Sequence, residues 1–95
     1  MNITKLDLSK ILAEDIGKEP IEAKNIINSL TNIIKREVGL GNDVIIRGFG
    51  RFYLKRKAAK KGRNISKGTF IDIPERFDPT FKAYPEFKDQ VSDQR

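Results

Sequence analysis

The chain contains no cysteine, no histidine and no tryptophan among its 95 residues. Without cysteine it can form neither a disulfide framework nor a thiolate metal site. Without histidine it lacks the most common general base, and without cysteine it lacks the thiol nucleophile. The carboxylates are scattered along the chain, and no segment matches a phosphate-binding loop or a dinucleotide-binding fingerprint. We therefore expect no enzymatic activity, no metal or other cofactor and no small-molecule substrate.

Long apolar runs are also missing from the sequence. No run approaches the roughly 18 residues of a membrane-spanning helix, and the start MNITKLDLSK lacks the pattern of a secretory signal. We expect a cytoplasmic protein without a membrane partner. With 95 residues and 38% hydrophobic composition, the chain should form one domain, residues 1–95, with a thin core of its own. Association between chains is one way to enlarge such a core.

Positive charge is concentrated in one segment of the sequence. Nine of the 19 Lys and Arg residues lie between Arg47 and Lys67, and all 13 Asp and Glu residues lie outside that segment. A polyanion is the natural partner, because neutralising phosphates releases condensed counterions. A solvated linker and a polybasic membrane contact are the alternatives. The membrane contact is disfavoured because residues 55–68 offer only Ile65 for an apolar face.

Apolar periodicity predicts two helices in the first half of the chain. Thr4 and Asp7 have the spacing of a capping box, and the helical pattern that follows ends at Gly17. Pro20 suits the first turn of a second helix. The wide apolar stripe of that helix consists of Ala23, Ile26, Ile27, Leu30, Ile33, Ile34 and Val38. This stripe is broader than one short helix would cover, so it can serve both an ordinary core and a dimer core.

The second half of the chain changes to strand patterns. β-branched and aromatic residues at 44–47 and 52–54 flank a tight turn at Gly48–Gly50. A second turn at residues 64–68 is followed by another strand pattern at 69–74. Because basic residues stand on both sides of this second turn, we predict a mobile hairpin arm, about residues 55–75, that projects from the body.

The last part of the chain predicts one more strand and a final helix. Pro79 and Phe81 lead into a short strand. Pro85 is placed to open the helix, on which Phe87 and Val91 should point inward.

Two glycine-containing motifs carry a family resemblance. The segment RGFGRF at residues 47–52 is followed, twelve residues after Gly50, by Gly62-Arg63-Asn64-x-x-x-Gly68. With this spacing and this order of elements, the chain resembles the HU/integration host factor family of bacterial DNA-bending proteins from roughly Thr4 to Val91. The resemblance implies an α+β fold with two N-terminal helices, an antiparallel β-sheet with a protruding β-hairpin arm, and a short C-terminal helix. It also implies an intertwined dimer, homodimeric or heterodimeric, with a core shared between the second helices.

The function implied by the resemblance is that of an architectural, histone-like protein associated with the nucleoid. Such a protein binds duplex DNA with low sequence specificity through a basic saddle and β-arms in the minor groove, and bends or compacts it. The implied DNA-binding residues are Arg47, Gly48, Gly50, Arg51, Lys55, Arg56, Lys57, Lys60, Lys61, Arg63, Asn64, Ile65, Lys67, Arg76, Lys82 and Lys88. An RNA-binding or ribosome-associated basic protein stays open as the alternative.

Three positions depart from the family pattern. Ile65 stands where the family normally has a proline that wedges between base pairs, so we expect a shallower or more variable bend. Tyr84-Pro85 replaces the usual Gly-Lys before the last helix, leaving Lys82 and Lys88 to contact phosphate there. Asp78 replaces an apolar residue beside the DNA-facing surface, where an acid would lower the affinity for phosphate.

Overall fold

The computed structural model describes residues 1–64 and 68–95, and the chain divides into two compact units, Met1–Arg36 and Glu37–Arg95. The described elements are α1 (Lys5–Ile16), α2 (Pro20–Gly39), β1 (Val44–Ile46), β2 (Gly50–Lys57), β3 (Lys60–Asn64), β4 (Thr69–Ile73), β5 (Arg76–Ala83) and α3 (Pro85–Asp93). Two N-terminal helices, antiparallel strands with a hairpin, and a C-terminal helix confirm the predicted α+β fold class.

Helix α1 begins at the predicted capping box. The Thr4 hydroxyl accepts a hydrogen bond from the Asp7 backbone N–H at 3.3 Å, and the Asp7 carboxylate accepts one from the Thr4 backbone N–H at 3.0 Å. The bonds from Thr4 lower the pKa of Asp7, since they favour its charged form. The helix ends at Gly17, whose φ of 66° lies in the left-handed region that favours glycine.

The apolar stripe of α2 divides into two rows. The inner row is buried at Ala23 and Val38 and half-buried between them. The outer row is 47% exposed at Ile26, 51% at Leu30 and 44% at Ile33. A single chain therefore carries a row of large apolar side chains on its surface.

Strands β1, β2 and β5 form an antiparallel sheet with the order β1-β2-β5. Strand β2 pairs with β5 from Gly50 opposite Ala83 to Lys57 opposite Arg76. Strand β5 begins before Pro79, earlier than the sequence predicted. The proline is accommodated because β5 lies at an edge of the described sheet, where a missing N–H removes no ladder hydrogen bond.

Strands β3 and β4 pair with each other in a separate two-stranded sheet, from Lys60 opposite Ile73 to Asn64 opposite Thr69. This hairpin lies within the predicted arm. The turn predicted at its tip falls mainly on residues 65–67, which lie outside the described residues.

Four phenylalanines form a cluster in the second unit. The ring centroids of Phe52 and Phe81 are 4.7 Å apart, and Phe87 of α3 stacks on Phe49 at 5.1 Å. The inward position predicted for Phe87 is therefore confirmed. Val91, also expected to point inward, is 43% exposed in the single chain, so its inward position stays a prediction.

Candidate nucleic-acid interface

The pairing of β2 with β5 separates the charged and the apolar side chains of the sheet. Successive residues of a strand point to opposite faces, and directly opposed residues of antiparallel strands share a face. One face, which we call the apolar face, carries Phe52 opposite Phe81 and Leu54 opposite Pro79. The other, which we call the basic face, carries Arg51, Tyr53, Lys55, Lys57, Arg76, Asp78, Thr80 and Lys82. Five cations thus point to the same side of one sheet.

Acids compete for three of the five cations on the basic face. Asp78 Oδ2 lies 3.3 Å from Lys57 Nζ and 3.3 Å from Arg76 Nε. Lys57, and then Arg76, lower the pKa of Asp78 because they stabilise its carboxylate. Arg51 Nε lies 3.7 Å from Asp43 Oδ2. Since the side chains of these ion pairs are partly exposed, each pair is weak and screened by salt, and a phosphate can compete with the carboxylate.

Two side chains that the sequence left unassigned belong to this region. The Arg51 guanidinium carbon lies 4.1 Å from the centroid of the Tyr53 ring, so Tyr53 fixes the direction of this cation. Phe70 on β4 is 72% exposed and is opposed to Arg63. The sequence signal for both residues is the period-two alternation of each strand, which assigns Tyr53 and Phe70 to a face once the strand pairing is known.

Arg56 lies on the apolar face, away from its neighbours Lys55 and Lys57. It is opposed to Phe77, and its Nη2 atom lies 2.9 Å from Glu75 Oε2. The sequence groups Arg56 with the other predicted contact residues because these cations are consecutive in the chain. Strand geometry separates them.

The two glycines of the first motif have different environments. Gly48 occupies the turn between β1 and β2 with a φ of 78°, a conformation that favours glycine, beside the exposed Arg47. Gly50 is buried, and a Cβ there would lie 2.5 Å from Phe81 ring atoms and 2.6 Å from the Lys82 carbonyl oxygen. Close packing therefore explains the glycine at position 50. The predicted phosphate contact of Gly50 stays a prediction.

The hairpin of β3 and β4 also has two different faces. Lys61 and Arg63 share one face with Phe70 and Asp72. Lys60 lies on the opposite face with Ile73. Asn64 is opposed to Thr69 in the backbone pairing. Two predicted contact residues, Ile65 and Lys67, lie outside the described residues.

The remaining predicted contacts lie at or near the start of α3. Lys82 is on the basic face, opposed to Arg51, and Lys88 is exposed on α3. The backbone N–H of Tyr84 donates to the Phe49 carbonyl at 2.9 Å, which ties the start of this helix to the turn before β2. Tyr84 therefore holds a structural position beside the expected phosphate site.

Comparison with known proteins places this arrangement in a family. The sequence model described as "Bacterial DNA-binding protein" matches residues 3–92. The integration host factor subunit alpha of a Polaromonas species is 39% identical over 89 residues, covering 94% of this chain and 80% of the relative. The DNA-binding protein HRm of Rhizobium meliloti is 34% identical over 90 residues, covering 95% of this chain and 100% of the relative.

Solved structures agree with the sequence matches. A chain of the HU–DNA cocrystal structure from Anabaena superposes with a TM-score of 0.88 at 28% identity, covering 97% of this chain and 98% of that chain. An HU variant from Thermotoga maritima has the same fold, with a TM-score of 0.70 at 24% identity over 96% of this chain and 99% of that chain. The chain belongs to the HU/integration host factor family of bacterial DNA-binding proteins. The resemblance inferred from the two glycine motifs is confirmed.

Over residues 1–64 and 68–95, no helix combines the length and apolarity that a bilayer span would require.

Proposed function

We propose that this chain binds duplex DNA as an architectural protein of low sequence specificity, and bends or compacts it. The observation that carries the proposal is the alignment of five cations on the basic face, beside a hairpin that carries three more, Lys60, Lys61 and Arg63. The similar HU chain from Anabaena was crystallised with DNA, which supports the same partner. The RNA-binding alternative is not favoured by these similarities.

Phosphate contacts are the proposed role of the basic face. Among the residues that the structure describes, Lys55 and Lys82 form no ion pair, whereas a carboxylate competes with phosphate for Lys57, Arg76 and Arg51. Contacts of this kind fix the position of the protein on the duplex and carry no sequence information. Arg47, Gly48 and Lys88 complete the proposed phosphate surface.

The arm is proposed to enter the minor groove. There Arg63 would meet the negative potential of a narrow groove and Asn64 would address base-edge acceptors. Ile65 would act as the apolar wedge at a base step, with Lys67 on a neighbouring phosphate. Unstacking a step costs a few kcal/mol, which is close to the gain from burying an isoleucine. The proposed bend is therefore shallower than that of a proline-tipped relative.

A dimer is the proposed functional unit. The outer row of α2, at Ile26, Leu30 and Ile33, is nearly half exposed in the single chain, and Phe49 and Phe81 of the aromatic cluster are 39% and 38% exposed. A second copy, or a related subunit, would cover these side chains and supply the core that one chain lacks. Both homodimer and heterodimer fit this surface.

The proposal also covers the location of the protein in the cell and the extent of its domain. We place the protein in the bacterial cytoplasm with the nucleoid, as one domain over residues 1–95, with no catalytic residue and no cofactor. Membership of a DNA-binding family and the family match over residues 3–92 support these points.

Salt dependence of binding tests the proposal. Binding to random-sequence duplexes should weaken steeply with salt, with a log–log slope of roughly −0.9 for each phosphate neutralised. Replacing Lys60 and Lys61 by alanine should flatten that slope by about one unit for each of the two side chains that contacts a phosphate. The loss of affinity should be the same for all DNA sequences. The matched control replaces Lys10 and Lys24 on α1 and α2, which removes the same charge from outside the proposed surface. Equal loss in both variants, or tighter binding to structured RNA than to duplex DNA, would contradict the proposal.

A further inference from the structure

The most exposed aromatic side chain among the described residues lies on the hairpin. Phe70 of β4 is 72% exposed, more than Phe77 at 57% or Phe49 at 39%. No other aromatic ring of the described residues packs on it. Phe70 is opposed to Arg63, and Lys61 points to the same side of the hairpin. An exposed aromatic ring thus lies beside Arg63, on the same face as Lys61, on the element proposed to enter DNA.

The opposite face of the hairpin is the one that packs on itself. Ile73 is half-buried, and a Cβ added at Gly62 would lie 2.6 Å from the Ile73 Cδ1 atom. An isoleucine therefore covers the backbone of β3 on that side. Phe70 is 72% exposed and therefore buries little of its side chain within the described part of the hairpin. Its exposure suits a group that is covered by a ligand.

The charges around Phe70 indicate the chemistry of that ligand. Lys61 and Arg63 favour a polyanion, and Asp72, opposed to Lys61 on the same face, reduces but does not cancel this preference. A duplex minor groove presents two rows of phosphates with apolar deoxyribose edges between them. Minor-groove proteins use phenylalanine among their apolar groups.

We propose that Phe70 is an additional DNA-contact residue, which packs on the deoxyribose walls of the minor groove beside Arg63. The inference rests on the proposed function. Two contributions to the DNA affinity then come from one face of the hairpin. Lys61 and Arg63 supply the salt-dependent contribution, and Phe70 supplies an apolar contribution that releases no counterions.

A pair of variants on the same strand tests the assignment. Phe70→Thr removes the ring and keeps a residue suited to a strand. Ile71→Thr is the matched control, because Ile71 is 49% exposed, is adjacent in the chain and points to the other face. Binding to a random-sequence duplex is measured by fluorescence anisotropy over a series of salt concentrations, and circular dichroism checks that each variant is folded.

Phe70→Thr should weaken duplex binding about tenfold at every salt concentration and leave the log–log slope unchanged. Ile71→Thr should change the affinity less than about twofold. The inference is overturned if Phe70→Thr binds like the parent, if it alters the slope, or if both variants lose equal affinity through a disturbed hairpin. It is also overturned if Phe70→Thr weakens only the binding of single-stranded DNA, because that result would indicate stacking of Phe70 on unpaired bases. A parent that does not bind duplex DNA would refute the proposed function, whereas a binding parent with an unaffected variant refutes this inference alone.

Discussion

Replacing Asp78 by asparagine should strengthen DNA binding and make it more dependent on salt. Asparagine keeps the size of the side chain and removes the charge that lies 3.3 Å from both Lys57 Nζ and Arg76 Nε. Each cation freed in this way can neutralise one phosphate, which steepens the log–log slope by about 0.9. The expected change is therefore up to about two units per chain. One unit of slope corresponds to about a tenfold change in affinity between 1 M and 0.1 M salt.

The matched control for this prediction is Glu75→Gln. It removes the same charge, but Glu75 pairs with Arg56 on the apolar face. Titration of a labelled duplex at several salt concentrations should show a steeper slope for Asp78→Asn and the parental slope for Glu75→Gln. Identical slopes in Asp78→Asn and the parent would refute the competition between Asp78 and phosphate. Equal changes in both variants would show that total charge, and not the basic face, controls the affinity.

The pKa of Asp78 fixes the pH range in which this competition operates. Lys57 and Arg76 lower that pKa below its ordinary value of 3.8, so the carboxylate stays charged as the pH falls through that value. Its ion pairs stabilise the folded chain above the ordinary value and are lost only as the pH falls through the lowered pKa. The affinity difference between Asp78→Asn and the parent should therefore be constant between about pH 5 and pH 8.

Further predictions concern folding and assembly. Gly50→Ala should destabilise the chain by about 1–3 kcal/mol or more in chemical denaturation. Gly62→Ala should have a smaller effect, because the nearest atoms to its Cβ belong to the side chains of Ile73 and Ile71, whereas Gly50 also meets a backbone oxygen. Equal effects would contradict this packing argument. Leu30→Ala should lower stability by about 2–5 kcal/mol if a dimer buries this side chain. The unfolding midpoint should also rise with protein concentration, and a midpoint independent of concentration would exclude the dimer. Thr4→Ala should lower the thermal midpoint at neutral pH. Because the bonds from Thr4 lower the pKa of Asp7, their contribution is present above its ordinary value of 3.8 and fades as the pH falls through the lowered pKa, so the variant should lose less stability than the parent on acidification.

Local chemistry made the helix boundaries predictable from the sequence. The Thr4–Asp7 capping box, the left-handed Gly17 and the prolines that open α2 and α3 each act through neighbours within a few residues. The hairpin and the order of elements followed from the change in apolar period and from the glycine motifs. These features need no knowledge of distant contacts, so a single sequence suffices to infer them.

The faces of the sheet could not be assigned in the same way. Which side a residue points to depends on pairing between β2 and β5, and these strands are separated by the whole arm. The sequence therefore groups Arg56 with cations from which the structure separates it. Gly50 lies in a motif that suggests phosphate contact, and its packing against Phe81 became visible only when β5 was in place.

The alternation along β2 has a consequence for how this chain can vary. The strand alternates Arg51, Tyr53 and Lys55 on one side with Phe52 and Leu54 on the other, and β5 alternates in register with it. Inserting or deleting one residue in the middle of β2 would send the following cations into the aromatic cluster and the following apolar side chains toward the DNA. Binding and folding would fail together. The length of β2 is therefore fixed, and variation in this half of the interface is confined to substitution of one side chain for another.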